Sequence, residues 1–251
     1  MEKKQTIIIG AGLVGSLLSI YLSKRGYPVK IFERRSDMRK TDMVAGRSIN
    51  LALSDRGIKA LEEVGLMDDI RKICIPMHGR YMHNADGTTA YQPYGKEGQY
   101  INSVSRGELN CKLMDLAEQH GVEINFNQKC EHIDWNKNDI LFEHVATGQR
   151  TTNNGQLIFG SDGAYSAARL THQLQQDRFQ YSQYFIDFGY KELNIPAGEN
   201  GSFLLEKHAL HIWPRGNYMM IALPNMDGSF TCTLFFPFDG EVSFAALDTK
   251  E

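Results

Sequence analysis

The spacing Gly10-x-Gly12-x-x-Gly15 lies between an apolar, β-branched run, Thr6 to Ile9, and a stretch from Leu13 in which Leu17, Ile20 and Tyr21 recur at helical intervals. A run apolar on every side is what a strand buried on both faces of a parallel sheet requires. The periodic stretch ends at Gly26, where a C-cap glycine belongs, and Val29 to Glu33 follows as a second strand. The order strand, glycine turn, helix, strand predicts a right-handed βαβ crossover. The three glycines then differ in what they allow. Gly10 permits the tight turn, Gly12 lets backbone amides approach a pyrophosphate, and Gly15 lets the helix pack on the strand. The helix N-terminus adds partial positive charge. Glu33 is placed to accept from a ribose 2'-hydroxyl and to repel a 2'-phosphate, which disfavours NADP at this position and leaves NAD and FAD open.

Composition narrows the class. The 251 residues suffice for one large domain or two modest ones, and 27 basic against 30 acidic residues give a charge of -3, without the positive field that nucleic acid would require. Cys74, Cys111, Cys130 and Cys232 have neither zinc-site spacing nor the density of a disulfide scaffold, so a reducing cytoplasmic setting is expected and no metal. The uncharged run from Gln5 to Ser23 could pass for a signal peptide or a membrane helix, but three glycines interrupt it and no small-residue cleavage site follows.

Further along, Ser54 is placed to cap a helix reaching about Val64. His78 to Tyr94 alternates around Asn84-Ala85-Asp86-Gly87 as a hairpin expected to stand off the main sheet. Ser105-x-x-Glu108 is a capping box opening a helix that Gly121 ends. Strands are expected at 122–126, 131–135, 140–144 and 157–159. After about Arg178 an antiparallel sheet is expected from aromatic strands at 184–190, 202–206, 210–213, 218–223 and 230–236.

A second cluster, Gly160-Ser161-Asp162-Gly163-Ala164-Tyr165-Ser166-x-x-Arg169, follows the strand at 157–159 and resembles the Asp-Gly motif of flavin-dependent aromatic hydroxylases. Four more segments are similar to the branch of that family that acts on kynurenine: Gly46 to Ser54, Ser103 to Arg106, Leu210 to Arg215, and Met219 to Met226 with Phe230 to Phe235. The resemblance spans nearly the whole chain and selects FAD over NAD.

It implies an α/β fold: a Rossmann-type FAD-binding domain with a parallel sheet (1–76 and 101–178) and an antiparallel-sheet substrate domain (77–100 and 179–251). It implies that Gly10, Gly12, Val14, Gly15, Glu33, Arg34, Ala52, Arg106, Cys130 and Asp162 contact FAD. Arg106, at a helix start, is unfavourable for the macrodipole unless an anion lies near, and a flavin phosphate would supply one. Kynurenine carries an amino-acid head and an aromatic ring. The resemblance assigns Arg80 and Tyr94 to its carboxylate and Ile101, Leu210, Ile221, Leu223, Thr233 and Phe235 to its ring, although alternating apolar residues also describe ordinary sheet packing. FAD, NADPH and O2 would carry the oxygen transfer, with no acid-base residue required of the protein. Family members continue into a second FAD motif and a long helix, so the expectation is of an N-terminal portion with weakened FAD binding or turnover. The alternatives are an FAD-binding fragment without turnover and a relative acting on another aromatic ring.

Overall fold

The computed structural model describes residues 4–40, 50–95 and 98–247. In chain order its elements are β1 (Thr6–Ile9), α1 (Leu13–Lys24), β2 (Val29–Phe32), β3 (Asn50–Leu53), α2 (Asp55–Glu62), α3 (Met67–Arg71), β4 (Cys74–Met77), β5 (Gly79–His83), β6 (Thr89–Pro93) and β7 (Ile101–Ser105). There follow α4 (Arg106–Gln119), β8 (Glu123–Asn125), β9 (Gln128–Asp134), β10 (Asp139–His144), β11 (Arg150–Asn154), β12 (Leu157–Gly160), α5 (Ala167–Gln175), β13 (Phe188–Ile195), β14 (Ala209–Arg215), β15 (Tyr218–Pro224) and β16 (Phe230–Pro237). The chain divides into two compact units, Met1–Met43 with Leu109–Ser182, and Val44–Glu108 with Gln183–Glu251.

The first unit is built on a parallel sheet of order β12-β1-β2-β8. All four residues of β1 are buried, because Ile7 and Ile9 join one core while α1 covers the other face. That core is completed by Phe32, Cys130, Ile133, Ile140 and Phe142, supplied partly by an antiparallel sheet of order β11-β10-β9. The Phe32 and Phe142 rings stack with centroids 4.1 Å apart, and burying a side chain of this size contributes about 2–3 kcal/mol. The βαβ order read from the glycine turn is present. β11 was not legible in the sequence, since Arg150-Thr-Thr-Asn-Asn is an edge strand without a buried face.

The second unit holds a six-stranded sheet of order β13-β16-β15-β14-β5-β6 and a three-stranded antiparallel sheet of order β3-β7-β4. The 78–94 hairpin is present as β5 and β6, apart from the parallel sheet, and β5 pairs in parallel with β14 to extend the six-stranded sheet. The structure corrects two strand expectations in this unit, at 202–206 and 184–190. Residues 202–206 form no strand, and the first aromatic strand runs from Phe188 to Ile195, leaving Tyr184 to Ile186 exposed. The three strands of the sheet β3-β7-β4 were not expected from the sequence. Ser54 stands at the N-cap of α2 without a side-chain capping bond, whereas Ser105 Oγ accepts from the Glu108 amide at 3.4 Å, half of the expected capping box.

Candidate functional site

Parallel pairing of β12, β1 and β2 brings the carboxyl ends of these strands together, where ligands of open α/β sheets bind. There the Gly10 turn and the turn after β12 interlock. Ser161 Oγ donates to the carbonyls of Ile9 (2.8 Å) and Gly10 (3.0 Å), and a Cβ at Gly10, whose φ is +99°, would lie 2.7 Å from the Ser161 carbonyl oxygen. A Cβ at Gly15 would overlap the Gly10 carbonyl. Above Gly12, by contrast, nothing among the described residues lies within 4 Å.

Gly12 is the N-cap of α1 and no side chain caps it; the first helical bond runs from the Ser16 amide to the Gly12 carbonyl. The amides ahead of Ser16 therefore open the helix toward unfilled space beside an exposed Val14. This arrangement fits a pyrophosphate, since a Cβ at Gly12 would occupy the space that the phosphates need and the uncapped amides are donors. Asn110 Nδ2 steadies the same turn by donating to the Ala11 carbonyl at 3.1 Å.

Glu33 follows β2 directly and is buried, with its backbone tied to both Asn125 and Gln128. Its Oε2 accepts from the Ala11 amide at 2.9 Å, and its Oε1 accepts from the Arg35 amide and Nε, each at 2.9 Å. Burial alone would raise the carboxyl, but the Arg35 side-chain and backbone hydrogen bonds, the Arg35 charge and the Ala11 amide together hold it below its ordinary value. Arg35 itself is more than half exposed, so its guanidinium can yield to a sugar hydroxyl. Arg34, the residue named from the resemblance, is exposed beside it. Neither Arg35, Ser161 nor Asn110 was singled out in the sequence. Ser161 at least lies inside the second cluster, whereas Asn110 carries no local signal.

Ser166 is the N-cap of α5, its Oγ accepting from the Arg169 amide at 2.9 Å, and Asp162 supports this cap by accepting from Ser166 Oγ at 2.6 Å and from the Ala167 amide at 2.7 Å. This explains why a serine stands four residues after Asp162. Cys130 is a core residue of the first unit, and burial pushes its thiol up to about 12. Ala52 on β3 and Arg106 at the first position of α4 are exposed and belong to the second unit. Gly46 to Ile49 lie outside the described residues.

In the larger sheet of the second unit, strand register sorts the side chains. Arg80 lies opposite Leu210, Ile212 opposite Ile221, Ile221 opposite Thr233, and Met219 opposite Phe235. Opposed and alternate residues share a face, so Arg80, Leu210, Ile221, Leu223, Thr233 and Phe235 all stand on one side, together with Ile212 and Met219. The Arg80 guanidinium carbon lies 5.1 Å from the Tyr94 ring centroid. The Tyr94 hydroxyl is buried and has no hydrogen-bond partner among the described residues. Burial raises its pKa, only partly offset by the Arg80 charge. Ile101 belongs to the three-stranded sheet, on β7 opposite Met77.

Comparison with known proteins gives these features a family. The chain is 52% identical over 250 residues to a kynurenine 3-monooxygenase of Myxococcus xanthus, covering 98% of this chain and 54% of that protein. It is 46% identical to a kynurenine 3-monooxygenase of Dictyostelium discoideum, covering 99% and 53%. The chain thus spans about half the length of the curated relatives it matches. Among solved structures, the tetrameric form of 2-methyl-3-hydroxypyridine-5-carboxylic acid oxygenase superposes with a TM-score of 0.75 at 18% identity, covering 94% of this chain and 60% of that one. HpxO of Klebsiella pneumoniae, complexed with FAD, gives 0.73 at 16%, covering 94% and 58%. The model of the FAD binding domain family matches residues 3–229, so this chain belongs to that family.

Proposed function

We propose that this chain is the FAD-binding and substrate-recognising part of an NADPH-dependent monooxygenase that converts L-kynurenine to 3-hydroxykynurenine. FAD, reduced by NADPH, supplies the chemistry that passes an oxygen atom from O2 to the aromatic ring. The protein's part is positional. The uncapped amides at the start of α1 hold the diphosphate, and Glu33 holds the sugar, exchanging its contact with Arg35. Arg80 pairs with the substrate carboxylate while Tyr94 donates its hydroxyl, charged hydrogen bonds of this kind being worth about 1.5–3 kcal/mol each. Leu210, Ile221, Leu223, Thr233 and Phe235 offer an apolar surface to the ring and exclude water from it.

The observation that carries this reading is the register that sets Arg80 and five candidate ring contacts on one sheet face, with a tyrosine hydroxyl that has no hydrogen-bond partner among the described residues. The similarity to kynurenine 3-monooxygenases supports the substrate, and the solved relatives support the fold. The test is to incubate the purified chain with FAD, record its visible spectrum, and follow NADPH oxidation with and without kynurenine. Flavin peaks and kynurenine-stimulated oxidation with 3-hydroxykynurenine formed are expected. Bound flavin that ignores kynurenine would mark a binding part without turnover, and stronger stimulation by an unrelated phenol would point to a different ring.

A further inference from the structure

The opposite face of the same six-stranded sheet carries a concavity. Tyr81 and Tyr91, opposed on β5 and β6, have ring centroids 5.1 Å apart and tilted by 53°, and with His78, His208 and Glu206 they line a cleft of about 180 Å³. The cleft is built rather than incidental. A Cβ at Gly79 would lie 2.6 Å from the Tyr91 ring, so only glycine there lets that ring lie against the backbone. Glu206 is held from two directions: its carbonyl accepts from His211 Nε2 at 2.9 Å, and its Oε1 accepts from the His208 amide at 2.9 Å. Among the described residues, the second carboxylate oxygen has no such bond.

Its chemistry is one-sided. His208 Nδ1 lies 2.9 Å from the Pro76 carbonyl, which can only accept; Nδ1 therefore carries a proton, and in the neutral ring Nε2 is an acceptor. The lining thus offers two aromatic faces, a carboxylate and an imidazole acceptor, and among the described residues no lysine or arginine. Aromatic faces attract cations through their quadrupoles, and an adjacent carboxylate adds charge; this is the composition of cages that take organic ammonium groups. We propose that this cleft binds a small organic ammonium, with Tyr81 and Tyr91 as its walls and Glu206 as its counter-ion. The site is separate from the Arg80 face and does not depend on the function proposed above.

The test is an NMR titration of the whole chain with tetramethylammonium chloride, against sodium chloride at equal ionic strength. Saturable shifts confined to the amides of residues 78–81, 91 and 206–208 are expected with the organic cation only. Glu206→Gln should weaken binding about tenfold and Tyr91→Ala should abolish it, while Tyr91→Phe, which keeps the ring, should bind as the parent does. Unchanged dispersion elsewhere in the spectra separates loss of binding from loss of fold. Shifts that do not saturate, shifts that sodium chloride reproduces, or a Glu206→Gln chain that binds as tightly as the parent would overturn the proposal.

Discussion

Glu33 accepts the Ala11 amide at 2.9 Å across 22 residues of sequence, so the carboxylate that closes β2 also fixes the glycine turn that closes β1. The residue that reads as a sugar ligand is thus first a structural brace. With Arg35 on its other oxygen, it ties the end of β2 to the glycine turn of the βαβ crossover.

That brace is pH-dependent. The folded-state pKa of Glu33 lies below its ordinary value of 4.5. The carboxylate therefore stabilises the fold fully above the unfolded value, and that contribution is lost as pH falls through the lower folded value. Glu33→Gln should cost about 1–3 kcal/mol at pH 7, measured by urea denaturation. The gap between parent and variant should close below about pH 4; a gap that stays constant would exclude an ionic brace.

The three glycines of the turn separate on substitution. Gly15→Ala drives a methyl into the Gly10 carbonyl and should lower the melting temperature. Gly12→Ala meets no protein atom among the described residues and has an ordinary φ of -72°. It should leave the melting temperature nearly unchanged and weaken FAD binding by roughly tenfold or more, equivalent to about 1.4 kcal/mol. Equal loss of stability in both variants would show that Gly12 serves packing rather than phosphate approach.

Tyr94 offers a complementary check on the ligand face. Because its buried hydroxyl has no partner among the described residues, Tyr94→Phe should leave stability unchanged or slightly raised. Kynurenine binding, followed by the perturbation of the flavin spectrum, should weaken about tenfold. Arg80→Ala should weaken it further, since the carboxylate would lose its charged partner. A Tyr94→Phe chain that is clearly less stable would mean the hydroxyl is already used.

His211 and His83 form a paired contact on the face away from Arg80. His211 Nε2 donates to the Glu206 carbonyl, so its Nδ1 can only accept, and His83 Nε2 donates to it at 2.9 Å. Burial depresses both rings below 6.5, helped at His83 by the Arg215 charge. The unfolded chain then binds protons that the folded chain refuses, and stability declines as pH falls from about 6.5 toward the folded values. His211→Gln should flatten this decline in denaturation midpoints measured between pH 7.5 and 5. An equally steep decline in the variant would remove His211 from the account.

No helix among the described residues is long and apolar enough to cross a membrane.

The sequence alone determined the features that depend on neighbours along the chain: the Gly10 to Gly15 turn, the crossover around it, the Asn84–Gly87 hairpin and the capping serine at 105. Each rests on backbone conformations or side-chain spacings that a few residues settle locally. It also placed Glu33 and Asp162 at the carboxyl ends of strands, though not their work as brace and as support for a helix cap. Tertiary structure decided everything that pairing across distance controls. Register with β14 and β16 put Arg80, Ile221 and Thr233 on a common face, because one residue of slip would reverse every side chain. β5 joined β14 in parallel, and Asn110 and Ser161 reached the glycine turn from distant elements. Such choices depend on which edges and apolar faces are left to bury when the chain collapses, and no local window of residues contains that information.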